Sequence, residues 1–181
     1  MAIQQIVSYG HPALRRPAQK VIEINDEILQ IIQDLKDTLQ HVGGLGLAAP
    51  QIGIEKQIFI ADLALTKERK YIGNKVTFIN PEIIYTSKKT DLDNEGCLSL
   101  IDIRGNVSRP IKIKMRGMVP SGTMRTIETT GFFARVLQHE FDHLHGKLFI
   151  DYFSATEYEK NRDRIKQYIV DNKKILPEIL E

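Results

Sequence analysis

Apolar residues recur every three or four positions in three stretches of the chain, which is the spacing of helices that bury one face. Asn25 precedes the first stretch as a suitable N-cap, with acidic residues directly after it. The third stretch opens with a capping box from Ser154 to Glu157, and Pro177 bounds it. We therefore predict three helices, over 24–39, 131–144 and 154–176.

Short apolar and β-branched runs lie between these helices and are typical of strands. In the run 111–115, apolar and basic residues alternate, as they do in a half-exposed strand. The runs cluster between helices instead of alternating with them, so they predict an α+β fold with antiparallel sheets. No repeat or Gly/Ser-rich linker divides the 181 residues, which suit a single domain over 1–181. The predicted strands cover 57–61, 76–79, 82–86, 111–115 and 124–130.

The composition narrows the class of protein. Hydrophobic residues make up 42% and charged residues 27%, which are ordinary values for a globular chain. The net charge of +2 argues against a strongly basic nucleic-acid binder, so no DNA partner is expected. The single cysteine excludes an intramolecular disulfide. With no secretion signal and no apolar run near the ~18 residues of a membrane span, we expect a cytoplasmic protein without a membrane partner.

The second predicted helix carries the pattern H-E-x-x-H, from His139 to His143. Residues four apart lie about 40° from each other around a helix axis, so both imidazoles face one side and can share a metal ion. Glu140 stands beside them, where it could handle the protons of a metal-bound water. Histidines at this spacing also occur on exposed helices without a metal. Phe132 and Val136 extend an apolar stripe to the same face, which suits either core packing or an apolar pocket.

Two histidines leave at least one metal ligand to be found. In one class of zinc proteases a third histidine follows at a position that Phe149 occupies here, which disfavours that class. The remaining candidates are the only thiol, Cys97, and the carboxylates of Glu157 or Glu159. Cys97 would complete a Cys-His-His set with one open position, an arrangement of catalytic sites. Such an ion lowers the pKa of bound water toward about 7. Spacing alone leaves the third ligand and the metal open.

A glycine-rich loop follows the first helix. Its glycines end a helix instead of opening one after a strand, which disfavours a phosphate-binding loop. The loop suits an ordinary helix stop and turn, but its small residues also let backbone approach the backbone of a ligand. Gln51, directly after a proline, could aim an amide N–H at a developing oxyanion.

Three motifs taken together resemble the peptide deformylase family. The family patterns G-x-G-L-A-A-P-Q, E-G-C-L-S and Q-H-E-x-D-H stand in this order at 44–51, 95–99 and 138–143. The resemblance implies antiparallel β-sheets packed around a central metal-binding helix, with an N-terminal helix and a C-terminal helix. It also implies a metal-dependent hydrolase that removes the formyl group from the N-terminal formyl-methionine of newly synthesised proteins and releases formate.

The resemblance implies a role for individual residues. Water bound to the metal would attack the formyl carbon, with Glu140 as general base and then acid. Gln51 and the backbone N–H of Leu98 would hold the oxyanion. One divalent ion, Fe²⁺ natively and Zn²⁺, Ni²⁺ or Co²⁺ in some preparations, would be bound by Cys97, His139 and His143. The implied substrate-binding residues are Gly44, Gly46, Arg104, Phe132 and Val136. A non-enzymatic binder of N-termini is disfavoured, because binding alone needs neither Glu140 nor Gln51.

The third predicted helix has an excess of basic residues between 160 and 174. A solvated helix face is the simple explanation. The resemblance to bacterial relatives with such a helix implies docking on the ribosome near the nascent-chain exit, and contact with RNA would be salt-sensitive. The chain departs from the family at Leu100-Ile101, where relatives commonly have Ile-Pro, which leaves open the effect of Ile101 on the substrate side.

Overall fold

The computed structural model describes residues 3–62 and 75–175. Their elements confirm the α+β class with antiparallel sheets. The α-helices are α1 (Asp26–Val42), α2 (Gly131–His143) and α3 (Ala155–Ile175). The strands are β1 (Gly46–Ala48), β2 (Ile58–Asp62), β3 (Lys75–Thr86), β4 (Thr90–Cys97), β5 (Leu100–Pro110), β6 (Lys112–Met118) and β7 (Met124–Thr130).

Strand β2 lies inside the main sheet, and its two faces explain how the helices are arranged. The sheet is antiparallel throughout, with the order β1-β2-β3-β6-β7. Side chains of a strand alternate between faces. Accordingly, Ile58 and Ile60 pack in one apolar cluster with α1, and Phe59 and Ala61 pack in the other with α2. The sheet is therefore covered by α1 on one face and by α2 on the other.

Helix α1 has the predicted N-cap, but it begins at Asp26 and continues to Val42, beyond the predicted end at residue 39. The side chain of Asn25 accepts a hydrogen bond from the backbone N–H of Ile28 at 3.1 Å and so caps the first turn. Its buried face includes Ile32 and Leu35, and burying such a side chain contributes about 1.5–3 kcal/mol. Gly43, with a φ of 71°, ends the helix and turns the chain toward β1.

Helix α3 packs against β5 of the separate β4–β5 hairpin. The Oγ of Ser154 accepts the backbone N–H of Glu157 at 3.2 Å, as the capping box predicts. A methyl group at Gly105 of β5 would lie 2.6 Å from the ring of Phe153 and 2.9 Å from Glu157, so this glycine allows the close approach. The predicted end at residue 176 and Pro177 lies outside the described residues. No helix in the described ranges is long and apolar enough to cross a membrane.

The strand predictions need two corrections. The runs 76–79 and 82–86 belong to one strand, β3. Its ladder with β6 shifts register at a bulge, where Asn80 takes a φ of 49°, and then continues. Asn80 is held there by paired hydrogen bonds with the backbone of Val21 at 2.7 and 2.8 Å. The sequence analysis also missed the short strand β1 and the β4–β5 hairpin, whose first strand is polar over most of its length.

Candidate active site

Cys97, His139 and His143 come together where the end of β4 meets α2. Cys97 ends β4, and the two histidines lie one turn apart on α2. Their candidate ligand atoms all lie within 4.8 Å of one another, and the Sγ of Cys97 is 3.3 Å from the Nε2 of His143. A thiolate and two imidazoles form a donor set that suits zinc and ferrous iron. The described residues therefore contain a possible metal site.

The carboxylates considered as alternative third ligands lie elsewhere. Glu157 accepts a hydrogen bond from Lys160 at 2.9 Å on α3. Glu159 is exposed and forms an ion pair with Arg162 at 2.7 Å. The structure does not bring either carboxylate into the Cys-His-His cluster.

Glu95 orients His139, a role the sequence analysis did not assign. The Nδ1 of His139 lies 2.9 Å from Glu95, which leaves Nε2 for a metal ion. The same carboxylate accepts two hydrogen bonds from Arg109, at 2.7 and 3.0 Å, and one from Arg135 at 2.7 Å. Burial alone would raise the pKa of Glu95, but the hydrogen bonds from His139 and Arg109 lower it to about 2. Glu95 therefore remains charged and holds the imidazole in one orientation.

Arg109 connects the β4–β5 hairpin to α2, the helix that carries both histidines. Besides Glu95, its guanidinium donates to Asp142 of α2 at 2.6 Å and lies 4.8 Å from the ring centre of Tyr152. The hydroxyl of Tyr152 donates to Asp142 at 3.0 Å. These buried partners balance one another's charge, and they fix the distance between the strand that carries Cys97 and the helix that carries both histidines.

Glu140 has surroundings unlike those of Glu95. Its Oε2 atom is buried and has no hydrogen-bond partner among the described residues. Burial raises the pKa of Glu140 to about 7. A methyl group at Gly46 would overlap the carboxyl group, with Cδ only 2.6 Å away. Gly46 therefore leaves the space that Glu140 occupies.

Gln51 is fixed in orientation by hydrogen bonds at both ends of its amide. Its Oε1 accepts the backbone N–H of Ala48 at 2.8 Å, so Nε2 points the other way. Nε2 lies 3.4 Å from the Sγ of Cys97 and 3.5 Å from the hydroxyl of Ser99. An amide donor is thus held beside the possible metal site.

A cavity of about 390 Å³ opens beside the cluster. This cavity is lined by every residue predicted to act in catalysis or substrate binding. The structure therefore brings these residues together. Val136 is almost buried, whereas 43% of the Phe132 surface is exposed. The side chain of Arg104 lies across Gly96, where a methyl group would be 3.3 Å from its Cζ atom. Arg135, Asn94 and Ile101 also line the cavity, and no role was predicted for them.

A cluster of one cysteine and two histidines, a buried glutamate with a raised pKa and a fixed amide donor beside one cavity are the features of a metalloenzyme site. A family model described as polypeptide deformylase matches residues 3–159. The chain belongs to the peptide deformylase family. The enzyme class predicted from the three motifs is thereby confirmed.

Individual relatives support this assignment over nearly their whole length. The peptide deformylase of Phenylobacterium zucineum is 38% identical over 168 residues, which cover 93% of this chain and 98% of that protein. A peptide deformylase structure from Plasmodium falciparum has a TM-score of 0.86 at 34% identity, covering 93% of this chain and 97% of that one. The Thermotoga maritima peptide deformylase structure has a TM-score of 0.77 at 37% identity, covering 85% of this chain and 99% of that one.

Proposed function

We propose that the chain removes the formyl group from the N-terminal formyl-methionine of newly synthesised proteins by metal-assisted hydrolysis and releases formate. One observation carries the proposal. The carboxyl group of Glu140, whose Oε2 has no hydrogen-bond partner among the described residues, borders the same small cavity as Cys97 and His139, and His143 lies directly behind them in the cluster. Family membership indicates the reaction, and this juxtaposition supplies groups able to perform it.

The residues of the site would divide the reaction among them. A divalent ion held by Cys97, His139 and His143 would supply Lewis-acid chemistry and lower the pKa of a water ligand toward about 7. Glu140 would accept a proton from the attacking water and pass it to the leaving amine, because a pKa of about 7 suits both transfers near neutral pH. Gln51 would donate its amide N–H to the formyl oxygen as negative charge develops, and the backbone N–H of Leu98 would be a second donor.

The cavity suits an extended formyl-methionyl peptide. Phe132 and Val136 supply apolar surface for an unbranched side chain. Strand β1 lies at an edge of the sheet, so backbone groups near Gly44 and Gly46 can pair with a substrate strand. Arg104 is exposed and borders the cavity, where it can contact the carbonyl groups of the peptide.

The proposed ion is Fe²⁺, with Zn²⁺, Ni²⁺ or Co²⁺ as replacements in preparations, and the proposed location is the cytoplasm. The test is formate release from formyl-Met-Ala-Ser by anaerobically prepared, iron-loaded protein, with the metal content measured on the same sample. We expect formate and free Met-Ala-Ser in equal amounts. A protein that keeps one ion and releases no formate would contradict the proposal.

The third ligand can be tested separately. Cys97→Ser removes the thiolate and should lower metal content at equal protein concentration, measured by elemental analysis after dialysis. Glu157→Gln is the matched control, because that carboxylate is hydrogen-bonded to Lys160 on α3. An intact metal content in Cys97→Ser with a loss in Glu157→Gln would favour the carboxylate instead.

Docking of α3 on the ribosome remains a prediction from the resemblance. The exposed position of α3 supports it, but several basic side chains already have partners: Arg162 pairs with Glu159, and Arg164 donates to the backbone of Asp102 at 2.8 Å. An Arg162→Glu and Lys166→Glu double variant should lose co-sedimentation with ribosomes in low salt, while deformylation of a free peptide is unchanged. Equal co-sedimentation of variant and wild type would contradict docking through this helix.

A further inference from the structure

Helix α2 presents a cation to the cavity as well as apolar side chains. Arg135 lies three residues after Phe132 and four before His139, so it belongs to the same helix face and lines the same cavity. Only 4% of its surface is exposed. The wall of the proposed methionine pocket therefore includes an arginine whose side chain is almost fully buried.

This guanidinium is held rigidly. One terminal nitrogen, Nη1, donates to Glu95 and to the backbone carbonyl of Val107, both at 2.7 Å. The other, Nη2, donates to the side chain of Asp91 at 2.7 Å and to its backbone carbonyl at 3.1 Å. A group with four fixed hydrogen bonds cannot rotate away when a ligand enters.

The charge of Glu95 does not by itself explain a second arginine here. Arg109 already binds both oxygens of Glu95. Burying a cation is costly even when it is paired, and a well-packed aliphatic residue is often as stable or more so. An aliphatic residue at position 135 would also extend the apolar surface formed by Phe132 and Val136. The position of Arg135 in the cavity wall points instead to contact with the substrate.

We propose that Arg135 is a specificity-determining residue that favours a thioether over a hydrocarbon of the same length in the first substrate side chain. The inference rests on the proposed function. Sulfur is polarisable and is a weak hydrogen-bond acceptor, whereas a methylene group is neither strongly polarisable nor an acceptor. A guanidinium that is already fixed in place loses no further freedom when it contacts the sulfur. The expected preference is modest, roughly threefold to tenfold.

The test compares formyl-Met-Ala-Ser with formyl-norleucine-Ala-Ser, which has a methylene group in place of sulfur. The measured quantity is the ratio of the two kcat/KM values, because losses of folded protein or of metal affect both substrates equally. The wild type should favour methionine by roughly threefold to tenfold. Arg135→Leu should bring the ratio close to one. The matched control is Arg116→Leu, which removes an exposed pair with Glu82 on the sheet and should keep the wild-type ratio.

A second variant covers the case in which Arg135→Leu does not fold. Asp91→Asn weakens one partner of the guanidinium, and 46% of the Asp91 side chain is exposed, so folding should survive. Its ratio should lie between those of wild type and Arg135→Leu. A wild-type ratio of one, or equal ratios in wild type and whichever variant folds, would overturn the proposal.

Failure of the proposed function would be recognised separately, because the wild type would then release no formate from either peptide. Calorimetry on metal-loaded protein would then measure binding of the unreactive peptides Met-Ala-Ser and norleucine-Ala-Ser. The two dissociation constants would test whether Arg135 favours the thioether. A preference for methionine in the wild type that Arg135→Leu or Asp91→Asn removes supports the inference. Equal dissociation constants for the two peptides in the wild type overturn it.

Discussion

Two buried carboxyl groups adjoin His139: Glu95 contacts its ring, and Glu140 follows it in the chain. Their surroundings shift the two pKa values in opposite directions. Glu95 is 5% exposed and Glu140 is 4% exposed, so burial is nearly the same. Glu95 receives hydrogen bonds from His139 and two arginines, and its pKa is lowered to about 2. The Oε2 of Glu140 receives none from the described residues, and its pKa is raised to about 7.

The difference shows that hydrogen-bond partners, not depth, determine what a buried carboxyl group can do. A carboxylate surrounded by donors is a fixed charge that orients its neighbours. A carboxyl group without donors can gain and lose a proton near neutral pH. The proposed reaction needs both kinds, one to hold a metal ligand and one to move protons.

The largest effect is expected from removing the proton acceptor. Glu140→Gln keeps the size of the side chain but cannot take up a proton, so kcat should fall roughly 10²- to 10⁴-fold. Metal content should be unchanged, because Glu140 is not a proposed ligand. Rates of formate release and elemental analysis on one preparation check this. A variant that keeps most of its activity would mean that another group moves the proton.

A similarly large effect should follow from displacing the same carboxyl group without changing it. Gly46→Ala places a methyl group where Glu140 lies, and a shift of about 1 Å in a catalytic group can cost about a hundredfold in rate. Gly44→Ala is the comparison, because its nearest neighbours are the flexible ends of Leu39 and Leu98 at 3.1 and 3.3 Å. We expect a smaller loss of kcat there. Equal losses in the two variants would show that Gly46 acts only through the substrate.

Glu95→Gln should act on the metal more than on the chemistry. It replaces a charged acceptor by a neutral amide facing Arg109, Arg135 and His139, so metal affinity should fall about 10- to 100-fold. Competition with a chelator measures this affinity, and Glu140→Gln serves as the control that keeps it. Wild-type affinity in Glu95→Gln would show that His139 is oriented by other contacts.

The smallest effect is expected for Glu128, an exposed carboxylate whose pKa is lowered as far as that of Glu95. Ion pairs with Lys112 and Lys114 lower the pKa of the exposed Glu128 to about 2. Solvent screens such pairs, so Glu128→Gln should leave activity, metal content and the unfolding temperature in high salt unchanged. A clear loss of activity in this variant would show that a low pKa matters even without burial.

Local signals explain which parts could be predicted from the sequence. Helices α1 and α3 have caps at Asn25 and Ser154, within a few residues of the turns they stabilise. His139 and His143 are one turn apart, so their common face follows from helix geometry. Cys97 lies far from them in the chain, so spacing left it as one candidate beside Glu157 and Glu159, and only the combined motifs favoured it.

No local pattern in the sequence predicts the β4–β5 hairpin or the charged side chains that meet on it. Strand β4 (Thr90–Cys97) is rich in Asp, Asn and Gly, which are uncommon in strands, and it is held by pairing with β5. Glu95, Arg109 and Asp142 come together only through this pairing and the packing of α2 on it. The spacing of these residues in the sequence therefore could not reveal that Glu95 orients a metal ligand.

The position of Cys97 has a consequence for the entropy of the unfolded chain. Cys97 and His143 are 46 positions apart, and an ion bound to both would close the loop between them. For a disulfide, closing a loop of this length is expected to contribute about 4 kcal/mol to stability. A bound ion would thus cross-link a chain whose single cysteine cannot form a disulfide, and removing the ion would lower the resistance to unfolding together with the activity.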